Sequence, residues 1–75
     1  MNVVVRYFAN LRELRGRESE SVNFPAGSTA GSAYVFLGLP PALPVAFAVN
    51  LNRVAAETPL CEGDELVFLP PIGGG

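Results

Sequence analysis

The 75-residue chain has a net charge of −2, five cations that are all Arg, and no His. A chain of that length holds one core and buries only about 60% of the surface its unfolded form exposes, which leaves little room for a deep substrate pocket. An acidic chain without Lys lacks the clustered cations that phosphate binding needs, so no nucleic-acid partner is expected, and at 49% hydrophobic and 16% charged residues it is too apolar for a disordered linker.

Asn2 to Phe8 reads as a strand, because Val3, Val4 and Val5 are β-branched and aromatic residues follow. With Arg6 turned to water, Val3, Val5 and Tyr7 enter the core, while Val4 and Phe8 share the outer face and Phe8 becomes an exposed aromatic. Asn10 is expected to cap a short helix through Arg15, paired with Glu13 at the third helical position, with Leu11 and Leu14 on one face and Gly16 as the stop. Arg12, Arg15 and Arg17 are interleaved with Glu13, Glu18 and Glu20, so this stretch is roughly neutral.

Ser19 to Phe24 alternates Ser21 and Asn23 against Val22 and Phe24, a second strand expected to pair with the first and closed by Pro25, Ala26 and Gly27. Ser28 or Thr29 starts a second helix with Ala33, Phe36 and Leu37 as its buried stripe, stopped by Gly38 and Pro40. Gly31 and Val35 lower its intrinsic helicity, so packing must hold it in place. Val45 to Val49 suits a buried strand, Asn50 to Asn52 a turn, and Arg53 to Ala55 a short return strand. Glu62, Gly63 and Asp64 signal another turn before a last strand, Glu65 to Leu69, in which Leu66 and Phe68 share one face. Strands and helices in this order predict an α+β domain over residues 1–69, resembling a β-grasp (ubiquitin-like) roll in which a mixed sheet packs on one main helix. Residues 70–75 then form an extended, flexible C-terminal tail.

The tail is the most specific chemical feature. Pro70 and Pro71 stiffen the exit, and Gly73, Gly74 and Gly75 make a thread without side chains that fits a narrow catalytic channel. The carboxylate at Gly75 is a group an ATP-dependent enzyme activates as an acyl-adenylate. Composition by itself leaves this reading evenly balanced against a frayed terminus. Cys61 has no His to activate it and is expected to be a small, partly buried residue. It also excludes an intramolecular disulfide, being the single cysteine. Glu62, Asp64 and Glu65 read as a solvated acidic loop, and no metal is assigned. No secretory leader is evident, and Pro40, Pro41 and Pro44 break the longest apolar run well short of the roughly 20 residues a membrane helix needs. A soluble, cytoplasmic protein with no membrane contact is expected.

Three blocks carry a family resemblance: Val5 to Leu14 (VRYFANLREL), Ala48-Val49-Asn50 with Pro59 to Leu66 (PLCEGDEL), and Phe68-Leu69-Pro70-Pro71-Ile72 before Gly74-Gly75. In this order they resemble the small subunit of molybdopterin synthase, the MoaD family of MoaD/ThiS-type sulfur carriers. The resemblance implies that an adenylyltransferase similar to ubiquitin-activating enzymes uses ATP to adenylate Gly75, which becomes a thiocarboxylate. It implies that Gly74 and Gly75 insert into the large synthase subunit, in a heterotetramer, to deliver sulfur to cyclic pyranopterin monophosphate for molybdenum cofactor biosynthesis. The sulfur donor implied is a cysteine desulfurase or rhodanese-like protein, and the chain itself binds no cofactor and is not an enzyme alone. On this reading Phe8, Leu69, Val67, Pro70 and Pro71 form an apolar docking surface edged by Arg12, and Arg53 stands where an apolar residue is expected. Carriers for thiamine or tRNA thiolation, a ubiquitin-like protein modifier, and a plain interaction domain are the alternatives.

Overall fold

Residues 1–71 are described by the computed structural model. Seven elements follow in order: β1 (Asn2–Tyr7), α1 (Ala9–Arg15), β2 (Ser19–Asn23), α2 (Ala30–Phe36), β3 (Ala46–Val49), β4 (Asn52–Val54) and β5 (Glu65–Leu69). The strands form one mixed sheet in the order β2-β1-β5-β3-β4, with β1 and β5 parallel and the other pairs antiparallel. This is the expected α+β architecture, and both seven-residue helices contribute to its core.

Parity along β1 decides the sheet's two faces. Val3, Val5 and Tyr7 are buried, as their alternation predicts, while Val4 and Arg6 point outward. Registered beside them are Leu66 and Phe68 of β5, both fully buried because β5 is the central strand and has neighbours on either side. Phe68 is the hub of an aromatic cluster, with the ring of Tyr34 edge-on at 5.2 Å and that of Phe47 at 5.9 Å. The Tyr34 hydroxyl escapes the apolar layer by donating to the Pro40 carbonyl at 2.6 Å.

Helix α2 buries Ala30, Ala33 and Tyr34, with Leu37 packed beside them, a stripe at positions i, i+3, i+4 and i+7. Phe36, expected on that stripe, is instead 55% exposed, and its ring meets Phe24 edge-on at 5.4 Å. The helix begins at a reciprocal cap: the Ser32 N–H donates to the Thr29 hydroxyl, and the Thr29 N–H donates to the Ser32 hydroxyl. The N–H groups of Ala30 and Gly31 donate to the carbonyls of Thr58 and Ala56, so a loop completes the cap. Gly31 is required by that close approach, since a Cβ there would lie 2.9 Å from the Ala56 Cβ.

Helix α1 departs from expectation at its start. Phe8, not Asn10, is the N-cap, and it makes no side-chain cap hydrogen bond. The chain turns into the helix through Ala9 in the left-handed region, at φ +49°, a conformation that costs an L-residue about 1 kcal/mol. Gly16 ends the helix at φ +71°. Only Leu11 is buried; Leu14 is 60% exposed, because so short a helix at the end of the sheet presents one turn to the core.

Candidate docking face and tail exit

Cross-strand register assembles the outer face row by row. One row runs Ser19, Arg6, Val67, Ala48, Arg53 across all five strands. Beside it lie Val4 with Glu65 on one side, and Leu69 with Ala46 on the other. Phe8 follows β1 at the Leu69 end and is 45% exposed. Val67 shares this face but is only 7% exposed, since the central strand places neighbours on both sides of it; it forms a floor and not a protrusion.

Two hollows open on this side. The first, of about 190 Å³, is lined by Phe8 to Leu11, Leu43 to Val45, and Leu69 to Pro71, and therefore lies where the tail leaves the domain. The second, of about 440 Å³, is lined by Arg6, Phe8, Ala48, Leu51, Glu65, Val67 and Leu69. Phe8 and Leu69 border both, which brings together five of the residues singled out in the sequence: Phe8, Val67, Leu69, Pro70 and Pro71. Arg12 is exposed on α1 and lines neither hollow. The charges at the rim are instead Arg6 and Glu65, paired at 2.6 Å. Gly74 and Gly75, together with Ile72 and Gly73, lie outside the described residues.

The β3–β4 turn projects beside the second hollow. Asn50 and Leu51 form its corners at φ +50° and +73°, the arrangement of a tight hairpin that favours Asn followed by Gly. Asn50 is explained locally: its side chain donates to Asp64 Oδ1 at 2.9 Å and accepts from the Glu65 N–H at 3.0 Å. Leu51 was not singled out from sequence, although an apolar residue where this turn prefers Gly is a legible signal.

A second group missed from sequence lies at the opposite edge of the sheet. Strand parity turns Glu20 inward beside Val22 and Phe24, where it accepts from the Tyr7 hydroxyl at 2.5 Å and from Arg15 at 2.7 and 3.0 Å. Arg17 adds a contact at 3.2 Å. Burial opposes the carboxylate's charge, but the hydrogen bonds from Tyr7 and Arg15 and the nearby guanidinium charges outweigh it and hold the Glu20 pKa below the ordinary 4.5. Burial, followed by the bond to Glu20, pushes the Tyr7 hydroxyl upward. Since Arg15 also donates to the Leu37 carbonyl at 3.4 Å, this group ties β1, β2 and α1 to the end of α2. Its role is structural.

The acidic turn is more ordered than a solvated loop. Glu62 accepts from the Asn2 N–H, and Asp64 accepts from both Asn50 and the Cys61 N–H. Cys61 is exposed and not partly buried, because the turn uses its backbone and leaves the thiol outside. Among the described residues no group of three His, Cys, Asp or Glu is placed to hold a metal, and no helix is long and apolar enough to cross a membrane.

A mixed five-stranded sheet carrying two helices, with an apolar outer face beside the tail exit, places the molecule among β-grasp, ubiquitin-like proteins. The ThiS family model matches residues 5–75, and the chain belongs to that family. It is 36% identical to the molybdopterin synthase sulfur carrier subunit of Escherichia coli (strain K12), over 97% of this chain and 99% of that protein. SAMP1 from Haloferax volcanii superposes with a TM-score of 0.77 at 25% identity over the whole of both chains. A chain in the complex of subunits 1 and 2 of the molybdopterin-converting factor from Helicobacter pylori 26695 gives 0.64 at 25% identity, again over the whole of both.

Proposed function

We propose that the protein is the sulfur-carrying small subunit of a molybdopterin synthase. The observation that carries this reading is its 36% identity with the E. coli sulfur carrier subunit over nearly the full length of both chains. In this scheme a carboxylate oxygen of Gly75 attacks the α-phosphorus of ATP on a ubiquitin-activating-like adenylyltransferase, and pyrophosphate leaves. The outer sulfur of a persulfide on a cysteine desulfurase or rhodanese-like donor then attacks the acyl carbon and expels AMP with the displaced oxygen, and a thiol cleaves the resulting acyl disulfide, releasing the thiocarboxylate and leaving a disulfide with the donor sulfur. One carboxylate oxygen is thereby exchanged for sulfur, the two electrons that reduce the persulfide sulfur coming from oxidation of thiol to disulfide.

Gly74 and Gly75 carry the thiocarboxylate into the large subunit, where it serves cyclic pyranopterin monophosphate, and the catalytic pocket belongs to that partner. Docking of the outer face supplies the orientation, so that sulfur is delivered in place and not released. Phe8, Val67, Leu69, Pro70 and Pro71 form the surface and exit that make this possible, with Arg12 flanking them on α1. The same docking face serves the activating enzyme.

Tandem mass spectrometry of the protein from cells making the cofactor tests the scheme. A gain of about 16 mass units confined to the fragment ending at Gly75 is expected, since sulfur replaces oxygen there; oxidation of Met1 or Cys61 gives the same mass at other fragments. A terminal fragment that never carries sulfur in such cells overturns the proposal. The likeness to SAMP1, a small archaeal modifier protein, favours a second reading as a protein modifier. That reading expects an isopeptide between Gly75 and a lysine of another protein, because this chain has no Lys of its own.

A further inference from the structure

Among the described residues, three non-glycine residues adopt positive φ: Ala9, Asn50 and Leu51. Asn50 is held there by its own side-chain hydrogen bonds, whereas Ala9 and Leu51 have no such compensation and each lines one of the two outer-face hollows. Backbone strain that local bonding does not explain is a pointer to function. Leu51 is the sharper case, for it is also 88% exposed, more than any other large hydrophobic residue among those described. A turn that favours Gly holds instead an apolar side chain that contributes almost nothing to the core.

Its surroundings state what would cover it. Leu51 stands at the margin of a hollow floored by Ala48 and Val67, and the smallness of Ala48 leaves space above the sheet. Arg53, opposite Ala48 on β4, shares this face. Arg6 is neutralised by Glu65, while Arg53 forms no ion pair among the described residues. An apolar projection beside an uncompensated cation fits a protein surface that offers an apolar depression next to a carboxylate.

We infer that Leu51 is a docking anchor for the large synthase subunit, seated in an apolar depression of that partner while Arg53 faces one of its carboxylates. This rests on the proposed function and adds a second, hairpin-borne contact to the Phe8 and Leu69 surface.

The test is titration of the purified large subunit with the full-length chain and with Leu51→Asn and Leu51→Gly, both of which suit a positive φ and remove the apolar side chain. Both variants are expected to bind the large subunit about tenfold or more weakly. Leu51→Gly is also expected to melt close to the unaltered protein, because relief of the strained φ offsets the greater chain freedom of Gly in the unfolded state. Binding by both variants within about twofold of the unaltered chain, or loss in only one of them, overturns the inference. If the unaltered chain itself fails to bind the large subunit, the proposed function falls with it; if it binds and the variants bind equally, the function stands and the anchor does not.

Discussion

The two faces of the sheet are made from the same strands but do opposite work. On the inner face Val3, Val5, Tyr7, Leu66 and Phe68 are all but sealed from water, and the polar group there, Glu20, is surrounded by donors. On the outer face Val4, Phe8 and Leu51 remain exposed, and the strained residues Ala9 and Leu51 adjoin its hollows. With the outer face docking as proposed, the contrast teaches that period-two alternation lets a small domain separate stability from recognition within one sheet. Substitutions on one face should therefore change a quantity that those on the other leave alone.

Phe68→Ala is the most severe way to test this. Removing the hub of the aromatic cluster should cost about 3–5 kcal/mol, a large part of the 5–15 kcal/mol that holds a typical domain together. Urea unfolding measures it, and a cost under about 1 kcal/mol would mean the core collapses around the gap or that Phe68 is not its centre.

Glu20→Gln should cost about 2 kcal/mol near neutral pH, through weakened charge-assisted hydrogen bonds to Arg15, Arg17 and Tyr7. The sign of the pH dependence follows from the depressed carboxylate. Glu20 gives its full stabilisation above its ordinary value of 4.5 and loses it as pH falls through the lower folded value. Tyr7, raised above its ordinary 10.0, gives full stabilisation below that pH and loses it as pH rises through the folded value. Thermal melts between these limits should be flat for this group, and the Gln variant should lack the Glu20 part of the acid limb. An unchanged acid limb would show that other carboxylates set it.

Gly31→Ala should destabilise by about 1–2 kcal/mol despite the better helix propensity of Ala, because the added Cβ meets Ala56. Increased stability would mean that the 56–60 loop yields freely. Phe8→Ser gives the smallest change in stability, within about 0.5 kcal/mol, yet binding to the large subunit should weaken about tenfold. Equal loss of both properties would erase the distinction between the faces.

Much of this division is legible along the strands. Parity places Val3, Val5 and Tyr7 inside and Phe8 outside before any partner strand is known, and the motif blocks at both ends of the chain point to the sulfur-carrier family. Parity applied to Val22 and Phe24 also turns Glu20 inward, although its bonds from Arg15 require knowing that α1 folds back over that edge. The short helices are less legible: Asn10 has the chemistry of a cap, but the chain enters α1 two residues earlier through Phe8 and Ala9. Leu14 and Phe36 have core chemistry and remain exposed, because a helix of seven residues meets the sheet along a single narrow stripe.

The sequence by itself determined the α+β class, the strands' inward residues, the capped start of α2 and the family to which the tail belongs, since each depends on local stereochemistry or on a linear motif. Only the tertiary structure decided that Val67 is a floor, that Arg6 and Glu65 neutralise one another, and that Leu51 stands beside Phe8 and Leu69 around one hollow. These facts depend on which strand lies next to which. Residues far apart in the chain become neighbours through the β2-β1-β5-β3-β4 order, and no local preference encodes that order.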